Sequence, residues 1–233
     1  MRKLLYIDNQ GDNLWPSTII DLFSENGFEL NPILASQNQF PNDLTQYQCI
    51  YLSGSVLCAS DNLDWMAREH DLIRTAVEKN IPMLGSCFGS QILASALCGK
   101  DQLFRRSDCE VGYTWIYLNN STPTDPLLKN LEDKVAMFVW HNDEIRADHE
   151  DMVILGKSAV CPNHIWRYKN EPVWGIQGHP ELNQEQVIQV LDNYRDCFIR
   201  DGADIDGIKE QAVNNIEGIK LIQNFIDFCK RET

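Results

Sequence analysis

Three residues in this chain have the types and spacing for nucleophilic acyl chemistry: Cys87, His179 and Glu181. Cys87 sits in Gly85-Ser86-Cys87-Phe88-Gly89, between an apolar run at 81–84 that reads as a buried strand and a segment, 91–97, that reads as the first turns of a helix. A cysteine at so tight a strand-to-helix turn is held at the tip of a sheet with its sulfur exposed. The flanking glycines suit a turn that leaves little room for a Cβ on either side. A helix N-terminus behind the sulfur offers unpaired N–H groups and a positive dipole end, both of which stabilise an anion. The alternative is a small buried core cysteine between two packing glycines.

A thiolate that attacks an amide carbonyl needs a base that later protonates the leaving amine, a group that orients the base, and donors for the oxyanion. His179 suits the first role. It follows an expected strand, 172–177, and Pro180 fixes the chain immediately beyond it. Glu181, two residues on, can turn back to one ring nitrogen, set the tautomer and stabilise imidazolium. Alone, His179-Pro180-Glu181 reads equally as a surface turn. Its weight comes from the cysteine elbow at another strand end.

The elements that must position these residues can be read in order. Apolar runs predict strands at 3–7, 28–34, 48–52 and 81–84, separated by helices at 15–25 and about 60–79. Gly27 suits the left-handed position after the first helix, and Ser60-Asp61-Asn62 can cap the second, with Met66, Ile73 and Val77 on its apolar side. The near-continuous apolarity of 49–52 fits a strand covered on both faces. The middle of the chain changes character. Strands are expected at 111–118, at 134–140 ending in His141-Asn142-Asp143, and, as short antiparallel pieces, at 152–155, 160–168 and 172–177, with a loop at 121–126. Asn183 and Gln186 form a capping-box pattern, Leu182 can staple onto Val187, and Val187, Leu191, Tyr194 and Phe198 make the buried stripe of that helix. After a polar break at 200–207, apolar residues at 205, 208, 212, 216, 219, 222, 226 and 229 predict one last helix. The expected fold is an α/β domain: an open, mostly parallel, doubly wound sheet of flavodoxin-like type with helices on both faces and a small antiparallel strand extension. The expected organisation is an α/β domain over 1–200 and a C-terminal helical segment, 201–233, packed on it. The alternative for that last helix is a partner-binding face.

Bulk properties exclude several classes. The 233 residues carry a net charge of −14, which opposes a nucleic-acid partner, since phosphate binding rests on Lys and Arg. Hydrophobic residues make up 43 % and charged residues 23 %, ordinary for a globular protein, and no apolar run approaches the roughly 20 residues of a membrane helix. Met1-Arg2-Lys3 begins as a signal peptide does, but Asp8 ends the apolar run too early, so a cytoplasmic location is expected. Eight cysteines form no CxxC pair and the five histidines do not cluster with them along the chain, so neither a metal nor a cofactor is expected.

With these residues in hand, the chain resembles the class I, triad-type glutamine amidotransferases, closest to the amidotransferase part of GMP synthase as a stand-alone domain. The match lies in Gly85-x-Cys87-x-Gly89-x-Gln91, His179-x-Glu181, Leu52-Ser53-Gly54-Ser55 and Trp140-His141-Asn142-Asp143, over roughly residues 3 to 200. The resemblance implies that Cys87 attacks the glutamine side-chain amide, releases ammonia and forms a γ-glutamyl thioester that water hydrolyses. His179 would serve as base and acid, with Glu181 orienting it. The backbone N–H groups of Phe88 and Ser55 would form the oxyanion hole. Gln91 would hold the substrate, with Gly54, His141 and Asn142 beside it. Two of these residues carry plain alternatives: Gln91 as an ordinary polar helix residue, and His141 as a strand-end histidine that fixes the loop. Ser55-Val56 departs from the glycine-proline of many members. A serine Cβ resists positive φ, so the hole is expected to form when a ligand or partner reshapes the loop.

Two activities fit this pattern. One is a glutamine-hydrolysing amidotransferase that passes ammonia to a synthetase on a separate chain, since no GxxxxGK phosphate loop is present. The other is a γ-glutamyl hydrolase or transferase acting on γ-glutamyl amides or peptides. A non-enzymatic binding module is opposed by the intact Cys87, His179 and Glu181. Cys58, near the Ser55 strand end, reads as structural, with a regulatory thiol as the alternative.

Overall fold

In a computed structural model, which describes residues 1–10, 18–61, 63–119 and 124–231, the chain folds around one nine-stranded sheet. Its first half alternates strand and helix: β1 (Arg2–Asp8), α1 (Thr18–Glu25), β2 (Phe28–Leu34), β3 (Cys49–Leu52), α2 (Asp64–Glu78), β4 (Met83–Ser86) and α3 (Phe88–Cys98). The second half opens with four strands, β5 (Leu103–Leu118), β6 (Lys134–Ile145), β7 (Met152–Lys157) and β8 (Ile165–Tyr168), and then β9 (Val173–Ile176). Helices α4 (Gln184–Asn193), α5 (Arg195–Arg200), α6 (Ile205–Gln211) and α7 (Ile216–Arg231) close the chain. The strand order is β2-β1-β3-β4-β9-β8-β7-β5-β6.

The sheet is mixed, not mostly parallel. From β2 to β9 neighbours run parallel, and from β9 to β6 they run antiparallel. The reason is connection length. Helical crossovers link β1 to β2 and β3 to β4, whereas β7, β8 and β9 follow one another through short loops that permit only antiparallel pairing. The hairpin of β5 and β6 is also far longer than its sequence pattern suggests. A register irregularity between Arg105 and Glu110 interrupts the alternation that would have revealed its first half.

Side chains alternate across the sheet as period-two geometry requires. Leu5, Ile7, Ile50 and Leu52 face α2 and α3, in a core with Trp65, Phe88 and Ile92. Leu4, Cys49 and Tyr51 face the other way, toward α1 and α7, with Phe23, Trp174, Phe225 and Ile226. A smaller cluster joins Phe138 to Leu182, Val187, Leu191, Phe198 and Ile208 under α4, α5 and α6. No helix among the described residues is long and apolar enough to cross a membrane.

Several local expectations hold and others shift. Gly27 has φ +82° after α1, and Asn183 and Gln186 make both capping-box hydrogen bonds at 2.9 Å. The start of the first helix at 15–17, Asn62, and 121–123 of the expected loop lie outside the described residues. Helix α2 starts at Asp64, and Ser60 turns instead to Asp143. The strand expected at 160–168 is ordered only from Ile165, because Ser158 and Cys161 close a turn before it. β6 runs through His141, Asn142 and Asp143, which therefore lie within the strand rather than beyond it. The last helix is two. Ala212 is extended, and Asn215 caps α7 through Gly218 N–H at 2.9 Å, leaving Ile216 71 % exposed. A steady apolar spacing does not register a cap within it, whereas Asn214-Asn215 is the residue-level sign of one.

The carboxyl ends of β1, β3, β4 and β9 lie side by side, and the α3 junction depends on close backbone approach there. A Cβ on Gly89 would overlap the Leu52 carbonyl, and one on Gly85 would stand 2.5 Å from the Gly89 carbonyl. Gly89→Ala is therefore expected to destabilise the protein by about 3 kcal/mol, the upper range for a small insertion into a packed site. Gly27→Ala, with open space around it, should cost only the left-handed penalty of about 1–2 kcal/mol. Urea denaturation of the two variants checks the order.

Candidate active site

One residue joins β4 to α3, and it is Cys87. Its backbone sits at φ 50°, ψ −109°, a region that L-residues occupy only when their surroundings enforce it. The enforcement is visible: Cys87 N–H donates to Ile176 O at 2.7 Å, and Cys87 O accepts from Gln91 N–H at 3.1 Å. The sulfur lies 3.6 Å from Trp140 O and 4.0 Å from Gln177 Nε2, at the base of a cavity of about 420 Å³. Phe88 opens α3, so its N–H belongs to the first turn, whose donors have no intrahelical partner.

His179 arrives from the neighbouring strand end, fixed by its N–H to Phe138 O at 2.9 Å. Nδ1 is 2.9 Å from Glu181 Oε1, which leaves Nε2 for the hydrogen bond with Cys87. Burial alone would hold this ring neutral. The Cys87 and Glu181 charges and hydrogen bonds outweigh it and raise the His179 pKa to about 10. Gly54 lies against both partners: a Cβ there would stand 3.0 Å from His179 Cε1 and 3.5 Å from Cys87 Cβ. A sulfur hydrogen-bonded to an imidazole that a carboxylate orients is equipped to attack a carbonyl and to hand a proton to the leaving group.

Ser55, Gln91, His141 and Asn142 line the same cavity as Cys87. Gln91 spends its amide N–H groups on Asp143 O at 2.8 Å and Gln177 Oε1 at 3.2 Å. His141 uses both ring nitrogens, on Asp143 O and on Glu110 Oε2, each at 3.0 Å. Both side chains thus brace the pocket wall. Ser55 does not adopt positive φ, and its hydroxyl donates to Asn9 O at 3.0 Å and accepts from Leu57 N–H at 3.1 Å.

Three features of the site were not visible in the sequence. Asp143 anchors the wall, with Arg105 Nε at 2.6 Å and the Ser60 N–H and hydroxyl at 3.0 and 2.7 Å. Arg200 and Asp201, read as the start of a polar break, line the cavity, and Trp140 Nε1 donates to Asp201 Oδ2 at 3.0 Å. Behind the wall, Glu110, His141 and Cys161 bring metal-ligating atoms within 4.8 Å of one another, although nothing clusters them along the chain. Burial there would neutralise Glu110, but His141 and His164 overcome it and hold the carboxyl at a pKa of about 2.

Comparison with known proteins places the chain in a family. The family model for glutamine amidotransferase class-I matches residues 12–194. A GMP synthase [glutamine-hydrolyzing] of Porphyromonas gingivalis is 29 % identical over 160 residues, 68 % of this chain, and the chain spans about 30 % of that synthase's length. Gamma-glutamyl peptidase 4 of Arabidopsis thaliana is 25 % identical over 179 residues, 76 % of this chain and 71 % of the peptidase. A crystal structure of a glutamine amidotransferase from Thermotoga maritima superposes with a TM-score of 0.84 at 20 % identity, covering 100 % of this chain and 99 % of that one, a likeness of fold. By the extent of the family match, this chain belongs to the class-I glutamine amidotransferases.

Proposed function

We propose that the protein hydrolyses the side-chain amide of glutamine through a thioester on Cys87. The observation that carries this reading is the buried Cys87–His179–Glu181 chain at a strained strand-to-helix junction. The Cys87 thiolate adds to the amide carbon, and the carbonyl electrons move to oxygen. The N–H groups of Phe88 and Ser55 meet that oxyanion. As the C–N bond breaks, the His179 imidazolium protonates the leaving nitrogen, which departs as ammonia. His179 then takes a proton from water, which attacks the γ-glutamyl thioester, releases glutamate and restores the sulfur. Gln91, Gly54, His141 and Asn142 shape the pocket that holds the substrate. The ammonia acceptor in this reading is a synthetase on a separate chain, in the cytoplasm, where eight free cysteines stay reduced.

A second reading uses the same thioester on γ-glutamyl amides or peptides. Two observations favour it: the similarity to a gamma-glutamyl peptidase over most of both chains, and a cavity wall extended by Arg200 and Asp201. Ammonia and glutamate release from glutamine, measured beside product release from a γ-glutamyl dipeptide, separates the two. Cys87→Ala should lower whichever activity is found by about 10⁴ or more. A folded Cys87→Ala protein that retained full activity would end both readings.

Glu181→Gln should lower the His179 pKa from about 10 by about 1–3 units, since it removes an opposite charge at hydrogen-bond distance. Imidazole resonances in NMR report that titration. The raised pKa also fixes a sign. The ion pair's contribution to stability is complete below the ordinary 6.5 and is lost as pH rises through about 10, so Glu181→Gln should flatten the alkaline loss of stability.

The Ser55 donor is the weakest part of the oxyanion site. A missing donor lowers rate by roughly 10²–10³. Ser55→Gly removes the Cβ and the hydroxyl tether together and should raise basal kcat. An unchanged kcat, with KM also unchanged, would mean that the donor is already in place.

A further inference from the structure

Behind the pocket wall, Glu110, His141 and Cys161 bring ligand atoms within 4.8 Å of one another, and His164 stands beside Glu110. Glu110 comes from β5, His141 from β6, and Cys161 and His164 from the loop before β8. All are buried, Cys161 and His164 completely. Glu110 Oε2 is 3.0 Å from His141 Nε2, and Glu110 Oε1 is 3.5 Å from His164 Nε2. The two rings meet edge to face at 6.1 Å.

The hydrogen bonds of His141 define the problem. Its Nδ1 faces the carbonyl oxygen of Asp143, which only accepts, so Nδ1 carries a proton. A neutral ring then turns the Nε2 lone pair toward a carboxylate oxygen at 3.0 Å. Two acceptors at that distance repel unless a positive charge lies between them, either a second proton or a metal ion. His164 sharpens the choice. Neither of its ring nitrogens has a hydrogen-bond partner, and Glu110 Oε1 has none. A proton on His141 settles one contact only, whereas a single cation can take both Glu110 and one ring nitrogen from each histidine.

We propose that Glu110, His141, Cys161 and His164 bind one zinc ion. A thiolate with two imidazoles selects a borderline-soft divalent metal, with Zn–N near 2.0–2.1 Å and Zn–S near 2.3 Å. The bond from His141 Nδ1 to a backbone carbonyl is the outer contact that fixes the tautomer of a zinc-bound histidine. On binding, the Cys161 S–H bond breaks, its proton leaves to water and an S–Zn bond forms. One carboxylate and one thiolate then balance the divalent charge, so the buried site is neutral. Four protein ligands leave no open position, which makes the ion structural. It ties β5, β6 and the 158–164 loop together behind the strand whose Asp143 carbonyl also holds Gln91.

The test uses the full chain carrying Cys87→Ala, so that the pocket thiol cannot ligate metal. After chelator treatment and dialysis, the protein is titrated with Zn²⁺ by calorimetry and with Co²⁺ by absorption. The expected result is one ion per chain, a thiolate-to-cobalt charge-transfer band, and a Tm that rises with Zn²⁺. Cys161→Ser should abolish the band, and His164→Ala should weaken Zn²⁺ binding at least about 10-fold. If Cys161→Ser fails to fold, X-ray absorption of zinc in the Cys87→Ala protein decides instead: one sulfur with nitrogen and oxygen neighbours supports the site. A shell with no sulfur or several overturns it. Absence of stoichiometric binding, or a cobalt band unchanged by Cys161→Ser, also overturns it and leaves a proton on His141 as the charge between the acceptors.

Discussion

The approach of α3 to the sheet edge is the constraint on which the rest depends. With a single residue between strand and helix, Cys87 has to take positive φ, and the helix backbone has to press on Leu52 and Gly85. Neither condition is stable alone. Gly89 makes the contact sterically feasible, and the hydrogen bond to Ile176 O ties the strained residue to β9. The same bond brings the end of β9, and with it His179, beside the sulfur. The strain and the juxtaposition of thiol and imidazole therefore have one cause.

The antiparallel half of the sheet contributes the wall opposite. β6 lies at the far edge in strand order, yet its Trp140 carbonyl faces Cys87 and its Asp143 carbonyl holds Gln91. The long hairpin bends back over the strand ends, and the register irregularity between Arg105 and Glu110 lies along that course. Buried polar groups then fix the wall by mutual satisfaction. Asp143 alone organises Ser60 and Arg105 through its carboxylate and Gln91 and His141 through its carbonyl. Networks of this kind hold a single geometry because each broken bond leaves a buried group unpaired.

What the sequence disclosed follows from locality. The elbow at Cys87, the His179–Glu181 pair and the Asn183 cap are each written within six residues, so type and spacing suffice. The parallel strands were equally legible, since burial on both faces leaves continuous apolar runs. Contacts between distant segments were not. Asp143 gave no sign that it would gather Ser60 and Arg105, and Asp201 read as part of a polar break because only tertiary packing carries the end of α5 to the cavity. The pairing of Glu110 with His141 and His164 required the hairpin. Cys161-x-x-His164 is a local hint, but Glu110 and His141 lie on other strands and only the fold brings them to it.

Asn215 gives the C-terminal helix a part in the site. While its oxygen caps α7, its amide nitrogen donates to the carbonyls of His179 and Pro180 at 3.2 Å each. The last helix is therefore stitched to the turn that carries the imidazole. A boundary drawn before residue 215 would strip two buried carbonyls of their donor, a loss of roughly 1–3 kcal/mol at the turn least able to absorb it. Helix and turn thus form one heritable unit: a fusion or permutation that keeps the pocket but exchanges the tail would inherit the nucleophile intact and a loosened base.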